Sequence, residues 1–340
     1  MNEIGSEFSF EISNSVHNDK SFFPDTGFFV FSGRTAIETI LRNEPSIHSA
    51  LLPSYCCDSM IEPFRKAGIK VDFFPVNYNN GFNIEINRLD NIDCLLWCNY
   101  FGFNSQMPDL SEFISHGGII IEDITHSLFS VKQYHKQSHY LVASLRKWEP
   151  VLCGGYCASH NHNKVLEIVP RTPPPNLFME QKKNAMKLKK KYLSGDTSIE
   201  KQIFLHMFAE SNEWLSNNYS NLSIDEYSKQ MLLNTDYHNH RNIRINNARI
   251  LYDGLKNHSN IKFLYPIEWM DCPIFVPIII KEKRDFYRKK LIENNIYCPI
   301  HWPKPSAKCK SNLYDMELSL ICDQRYTEND MSRMVEVLNN

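Results

Sequence analysis

The chain has 340 residues, 42% of them hydrophobic and 22% charged, and 37 basic against 39 acidic residues leave a net charge of -2. That describes a globular chain long enough for a large core and more than one domain, and it excludes a general nucleic-acid binder, which needs a basic surplus to neutralise phosphates. No run approaches the roughly 18 apolar residues of a membrane span, no leader pattern opens the chain and the ten cysteines form no Cys-x-x-Cys, so a cytoplasmic protein with reduced thiols, no bound metal and no membrane contact is expected.

From about residue 28 to 159, short apolar runs alternate with helical patterns. Residues 32–42 read as a helix with a Ser-Gly opening and Ala36, Ile37, Ile40 and Leu41 on one face. A buried strand is expected at 50–53, a helix at 60–67 ended by Gly68, and a strand at 70–75. Further strands are expected at 94–99, 118–123 and 140–144. Strands separated by helices predict an α/β fold with a mostly parallel sheet covered on both faces. Pro170-Arg171-Thr172-Pro173-Pro174-Pro175 reads as an extended connector. A lysine-rich helix at 177–193 and a long helix at 234–255 follow. A strand at 273–280 and helices at 283–294 and 328–338 suggest a smaller second domain. The expected division is 1–245, with the connector near 160–200, and 246–340.

Ligands of such sheets bind at the carboxyl ends of the strands. Tyr55, Asn99, Asp123 and Lys147 all fall there. Asp123 closes the run Gly117-Gly118-Ile119-Ile120-Ile121-Glu122, and Lys147 stands in Ser144-Leu145-Arg146-Lys147-Trp148, shortly before Gly154-Gly155. An acid at one strand end and a lysine after the next suit a pyridoxal phosphate site. The lysine amine holds the cofactor covalently and the acid keeps the pyridine nitrogen protonated. Freed lysine can then move a substrate proton. The Ser32-Gly33-Arg34-Thr35 helix opening offers N–H groups, a hydroxyl and a cation to a phosphate, and Ser144 can add a second hydroxyl.

Three other residues have an ordinary structural alternative of similar weight. Tyr55 is a ring-stacking candidate or a core aromatic. Asn99 is a cofactor contact or a strand-end asparagine bonding its own turn. His126, three residues after Asp123, is a cofactor neighbour or a structural histidine. In the second domain, His301-Trp302-Pro303 forms a stiff loop that either lines a sugar pocket or simply packs.

Together these residues resemble the nucleotide-sugar aminotransferases of the DegT/DnrJ/StrS type, which have the pyridoxal phosphate transferase fold type I. The resemblance rests on Ser32 to Ile37, Leu52-Pro53-Ser54-Tyr55, Asn99-Tyr100-Phe101-Gly102, Glu122-Asp123-Ile124-Thr125-His126, Ser144 to Lys147, Gly154-Gly155 and a helix carrying Arg241, Arg244 and Asn247. The chain departs from the family at Arg34, where threonine is usual, in a shorter Ser144–Lys147 spacing, and at Cys57, where the ring-stacking aromatic often lies.

The resemblance implies a homodimer with a large domain and a smaller C-terminal α+β domain. It implies transfer of an amino group, usually from glutamate, to a keto-sugar nucleotide for surface polysaccharide or glycan synthesis. Carried over by position, Lys147 holds the cofactor, Asp123 meets the ring nitrogen, and Ser144 with Gly33, Arg34 and Thr35 meets the phosphate. Tyr55, Asn99 and His126 are further cofactor candidates, and Arg241 and His301 are substrate candidates. A pyridoxal phosphate enzyme for another small keto compound, and a non-catalytic binding protein of the same fold, are the alternatives.

Overall fold

The computed structural model describes residues 3–12, 22–86, 88–104, 106–131, 134–161 and 164–340. Seven strands form the main sheet: β1 (Gly27–Val30), β2 (Ser49–Pro53), β3 (Lys70–Phe74), β4 (Cys94–Cys98), β5 (Ile119–Asp123), β6 (Tyr140–Ser144) and β7 (Gly155–Ser159). Their order is β1-β7-β6-β5-β4-β2-β3. Strands β6, β5, β4, β2 and β3 run parallel, and β7 is antiparallel to both neighbours. Strands β4 and β5, Cys-Leu-Leu-Trp-Cys and Ile-Ile-Ile-Glu-Asp, are buried at every position, as parallel strands covered on both faces must be.

The register sets Cys98 beside Asp123 and Asp123 beside Val142. The carboxyl ends of β4, β5 and β6 thus form one level edge. Helix α1 (Gly33–Asn43) packs on β7 and β6 through Ala36, Ile37, Ile40 and Leu41, the face the sequence predicts. Its N-cap Ser32 accepts the Thr35 N–H, which brings the start of α1 to that same edge. Helix α2 (Asp58–Lys66) follows β2 and stops before Gly68, whose φ of 75° suits glycine.

A helical hairpin, α3 (Asn176–Leu193) and α4 (Lys201–Asn217), builds a separate apolar cluster around Phe31, Phe178, Phe204 and Phe208. The sequence reading found α3 and omitted both α4 and α5 (Glu226–Leu233). The helix expected at 234–255 is α6 (Tyr237–Leu255), because the Asp236 side chain accepts the Asn239 N–H and fixes a new start. The division expected at 245/246 falls inside α6.

Beyond α6, β8 (Lys262–Phe263), β9 (Phe275–Ile279) and β10 (Glu317–Ile321) form an antiparallel sheet in that order. Helices α7 (Arg284–Glu293) and α8 (Glu328–Asn339) complete this part, and α6 packs against α8. Val276, Ile278, Leu318 and Leu320 join the core of the main sheet in one continuous cluster. The second sheet is thereby held against the edge where β4 to β6 end. Among the described residues, no helix is long and apolar enough to cross a membrane and no cluster could hold a metal ion.

Candidate active site

Past β6 the chain makes one turn of 3-10 helix, Leu145–Lys147. The Leu145 N–H donates to the Gly154 carbonyl at 3.1 Å, and the buried Trp148 indole donates to the Thr125 carbonyl at 2.6 Å. These two anchors fix the residues on either side of Lys147 and leave its side chain to a cavity of about 570 Å³ at the carboxyl edge of the sheet. Its Nζ lies 3.4 Å from His126 Nε2 and 5.7 Å from the centre of the Trp302 ring.

Asp123 lines the same cavity and is buried. Its Oδ1 accepts the Thr125 N–H at 2.8 Å. Burial pushes the carboxyl up from its ordinary value, while Thr125 and the Lys147 ammonium pull against that rise. A carboxylate of this kind gains from a protonated ring nitrogen beside it.

His126 is also buried in the wall. Its Nδ1 accepts the Phe101 N–H at 3.3 Å, so the ring proton belongs on Nε2, the nitrogen that faces Lys147. Trp302 stacks on it, centroids 5.5 Å apart and planes at 28°. Burial first, then Lys147 and His301, hold this imidazole well below its ordinary pKa and therefore neutral.

His301 enters from the loop that precedes β10 and is bonded to that strand. Glu317 Oε2 accepts its backbone N–H at 2.8 Å, its Nδ1 lies 2.7 Å from Ser319 Oγ, and Ser319 Oγ is 2.5 Å from Glu317 Oε1. Burial, with Lys147 adding to it, holds the His301 ring well below its usual value. Burial also pushes Glu317 up to about 8.

The start of α1 forms another wall, with Ser32, Gly33 and Arg34 facing the cavity beside Ser144. A methyl on Gly33 would stand 3.2 Å from Ser144 Cβ, and one on Gly155 would overlap the Ser32 carbonyl oxygen. Gly155 is thus required for the start of α1 to approach β7 this closely, and a side chain at Gly33 would press on Ser144. The first N–H groups of a helix have no partner in its own ladder, and here they open beside Arg34. Five lining side chains are basic (Lys147, Arg34, Arg146, Arg244 and Arg325) against three carboxylates; Arg34 Nε is also paired with Glu62 at 2.7 Å, which leaves a basic surplus of one and suits an anionic ligand.

Four of the expected residues stand outside this cavity. The Thr35 hydroxyl donates to the Tyr219 carbonyl at 2.9 Å and lies 3.0 Å from Ser32 Oγ, so it secures the helix start. Tyr55 is fully buried behind Trp302, ring centres 5.1 Å apart. Asn99 Nδ2 donates to Glu122 at 2.5 Å and its Oδ1 accepts from Trp97 at 3.0 Å; it lines a second cavity. Arg241 pairs with Asp271 at 2.8 Å and donates to the Phe129 carbonyl at 3.1 Å. Lys147, Asp123, His126, Ser144, Gly33, Arg34 and His301 do come together.

The sequence reading assigned no role to Arg146 or Arg244, and both line the cavity together with Trp302 and Cys57. Cys57 supplies no aromatic face where the resembled family often has one, and the indole of Trp302 and the imidazole of His126 provide flat surface instead. Residues for each part of pyridoxal phosphate are present: an amine, a buried carboxylate, a helix start with Ser144 and Arg34, and flat neighbours.

No family model matches the sequence, and no curated protein matches it either. Solved structures do. DesI in the presence of its TDP-sugar product is 12% identical, with a TM-score of 0.64 over 92% of this chain and 79% of that one. S. venezuelae DesV in complex with a ketimine intermediate is 14% identical, with a TM-score of 0.66 over 94% and 86%. A DegT DnrJ EryC1 StrS aminotransferase from Brucella abortus is 16% identical, with a TM-score of 0.63 over 92% and 84%. The chain therefore has the α/β architecture of these aminotransferases, fold type I, as the sequence predicts.

Proposed function

We propose that this protein is a pyridoxal phosphate-dependent aminotransferase that moves an amino group from glutamate to a keto-sugar nucleotide. The observation that carries this reading is the convergence of Lys147 and Asp123 on one anion-favouring cavity of about 570 Å³. Support for the sugar and the donor comes from structural neighbours, among them one with a TDP-sugar product and a GDP-4-keto-6-deoxymannose-3-dehydratase with a trapped PLP-glutamate geminal diamine.

When bound, pyridoxal phosphate supplies an electron sink for the charge left when a proton departs from the carbon bearing nitrogen. Lys147 Nζ holds the cofactor between turnovers and, once free, moves that proton. Asp123 keeps the ring nitrogen protonated. Ser144, Gly33 and Arg34 take the phosphate, with Thr35 securing the helix start behind them. His126 holds its Nε2 proton toward the reacting amine. Tyr55 acts by backing Trp302, and Asn99 by fixing Glu122. His301 faces the substrate from the loop before β10.

In this reading the chain works in the cytoplasm as a homodimer, its large part (1–245) carrying the cofactor and its smaller part (246–340) closing over it. Its products feed surface polysaccharide or a related glycan. The test is a glutamate-dependent amination screen against a panel of keto-sugar nucleotides, read by mass. An amino-sugar nucleotide is expected from at least one member. Turnover of small keto acids or phosphorylated ketones, with none of any sugar nucleotide, would overturn the substrate assignment.

A further inference from the structure

Strand β10 reads Glu-Leu-Ser-Leu-Ile and is buried at every position. Alternation along a strand puts Glu317 and Ser319 on one face and Leu318 and Leu320 on the other. A carboxyl and a hydroxyl in such a strand need partners, because a buried polar group left unpaired is costly. They find them in the loop before β10. The Ser319 N–H donates to the Pro299 carbonyl at 3.0 Å and Glu317 Oε2 accepts the His301 N–H at 2.8 Å, so loop and strand are laced together. The side chains then form a row of three. Glu317 Oε1 lies 2.5 Å from Ser319 Oγ, which lies 2.7 Å from His301 Nδ1. His301 lines the cavity that holds Lys147, and its Nε2 bonds no described residue.

Each member of this row can give or take a proton. Where Glu317 is a carboxylate, Ser319 donates to it, His301 Nδ1–H donates to Ser319, and Nε2 shows the cavity a lone pair. Where Glu317 carries a proton, the bonds reverse: Glu317 donates to Ser319, Ser319 donates to Nδ1, and Nε2 carries the proton. A proton taken up at Nε2 thus releases the Nδ1 proton to Ser319, whose own proton passes to Glu317, and the ring stays neutral. This suits a ring that burial and Lys147 hold well below its ordinary pKa, since it keeps no charge itself. Burial raises Glu317 to about 8, with Ser319, the His301 N–H, Tyr55 and Arg284 pulling against that rise, so it can store the proton near neutral pH. The Cys298 thiol also lies near Glu317. Lys147 and the His126 ring, centred 5.5 Å away, face His301.

We infer that Ser319 and Glu317 form a proton relay that ends at His301 Nε2 and serves the oxygen of the keto acceptor. When nitrogen replaces oxygen at a carbonyl carbon, a C–N bond forms, the C–O bond breaks, and the oxygen leaves as water with both hydrogens of the attacking amine. Those protons must travel from nitrogen to oxygen. His301 Nε2 gives its proton to the oxygen as Glu317 becomes the carboxylate, and a proton lost by the amine returns to Nε2 and resets the row. Lys147 serves the carbon, and the relay serves the oxygen. Glu317 and Ser319 are positioning residues, since they act through His301. The acceptor rests on the aminotransferase reading, whereas the relay stands without it.

Ring-nitrogen NMR of the holoenzyme carrying isotope-labelled histidine reads the His301 tautomer, with His301→Phe assigning its signals. From about pH 6 to about pH 9, either side of the Glu317 value, the proton should move from Nε2 to Nδ1 with the ring neutral at both ends. Glu317→Gln keeps the size of the acid. The His301 N–H holds its carbonyl oxygen, so its NH2 faces Ser319 and Nε2 should carry the proton across the whole range. Ser319→Ala cuts the row, and its tautomer should not respond to pH. In both variants kcat for amination should fall by about 100-fold or more, the scale of a positioned proton-transfer group. KM for the keto-sugar nucleotide and affinity for pyridoxal phosphate should stay within about threefold. A parent ring that keeps one tautomer throughout overturns the relay, and so does a switch that survives in both variants. A kcat within about threefold of the parent in both variants overturns its part in amination. The switch in a protein that aminates no sugar nucleotide would defeat the sugar reading and leave the relay standing.

Discussion

His126 Nε2 lies 3.4 Å from Lys147 Nζ, and the Phe101 N–H on Nδ1 decides which nitrogen of the ring carries the proton there. Replacing His126 by Phe keeps a flat partner for Trp302 and removes the Nε2 donor. Lys147 should still take up pyridoxal phosphate, seen as a visible absorbance band, while kcat falls by about 100-fold or more, within the range of roughly 100- to 10,000-fold for a positioned proton-transfer group. Lys147→Ala should lose the band of the linked cofactor altogether. A His126→Phe enzyme with full kcat would remove His126 from the reaction.

The buried titratable groups set opposite slopes of stability against pH. His126 and His301 are held well below their ordinary value of 6.5. Below that pH the unfolded chain takes up protons that the folded one refuses, so their contribution is lost as pH falls. Glu122 and Glu317 are raised from 4.5 to about 7 and about 8. The folded chain keeps these protons and the unfolded chain releases them, so stability is lost as pH rises from about 4.5 to 8. Glu317→Gln mimics the protonated acid. Relative to the parent it should therefore gain stability between about pH 5 and 8.5, by up to a few kcal/mol on a scale of about 1.4 kcal/mol per pKa unit. Urea unfolding at both pH values measures it, and parallel behaviour of the two proteins would refute it.

Gly155 holds the start of α1 against β7, since any Cβ there overlaps the Ser32 carbonyl. Gly155→Ala should cost about 1–3 kcal/mol and move the helix start. The affinity for pyridoxal phosphate should then fall more than that for pyridoxal, which has no phosphate. Gly154→Ala meets mainly the Leu145 side chain at 3.3 Å and should be milder on both counts. Equal losses for the two cofactor forms would place the phosphate elsewhere.

The parts of this fold that are legible in the sequence are those whose signal is local. Strands β4 and β5 announce themselves as unbroken apolar runs, and Asp123, Ser144 and Lys147 stand at strand ends, where a parallel sheet gathers its ligands. The α4 helix escaped notice although Phe204, Phe208, Ser211 and Leu215 recur at helical spacing; its buried face meets α3, well away from the sheet pattern that guided the reading. Tyr55 and Asn99 also stand at strand ends, yet one turns into the aromatic core and the other toward Glu122. Side-chain direction beyond the last strand residue depends on what packs there. For the same reason Trp302, which comes from the distant loop before β10, could be seen as unusual but could not be set against His126.

Arg241 and Arg244 show this limit most sharply, because the resemblance singles out Arg241 as the substrate candidate and nothing in the sequence says which way either side chain turns. The structure turns Arg241 toward Asp271, which is 5% exposed, and Arg244 toward the cavity. Arg241→Met should therefore lower stability by about 1–3 kcal/mol, the cost of leaving a buried carboxylate short of a partner. Asp271 Oδ1 would retain the Val131 N–H at 3.0 Å, which limits the loss. Glutamate affinity and the KM for the acceptor should stay within about threefold of the parent, since Arg241 does not line the cavity that holds Lys147. The check is a pair of measurements on one preparation: chemical unfolding for stability and a glutamate titration for binding. A variant that is as stable as the parent yet binds glutamate weakly would place Arg241 in donor binding and not in the structural pair with Asp271.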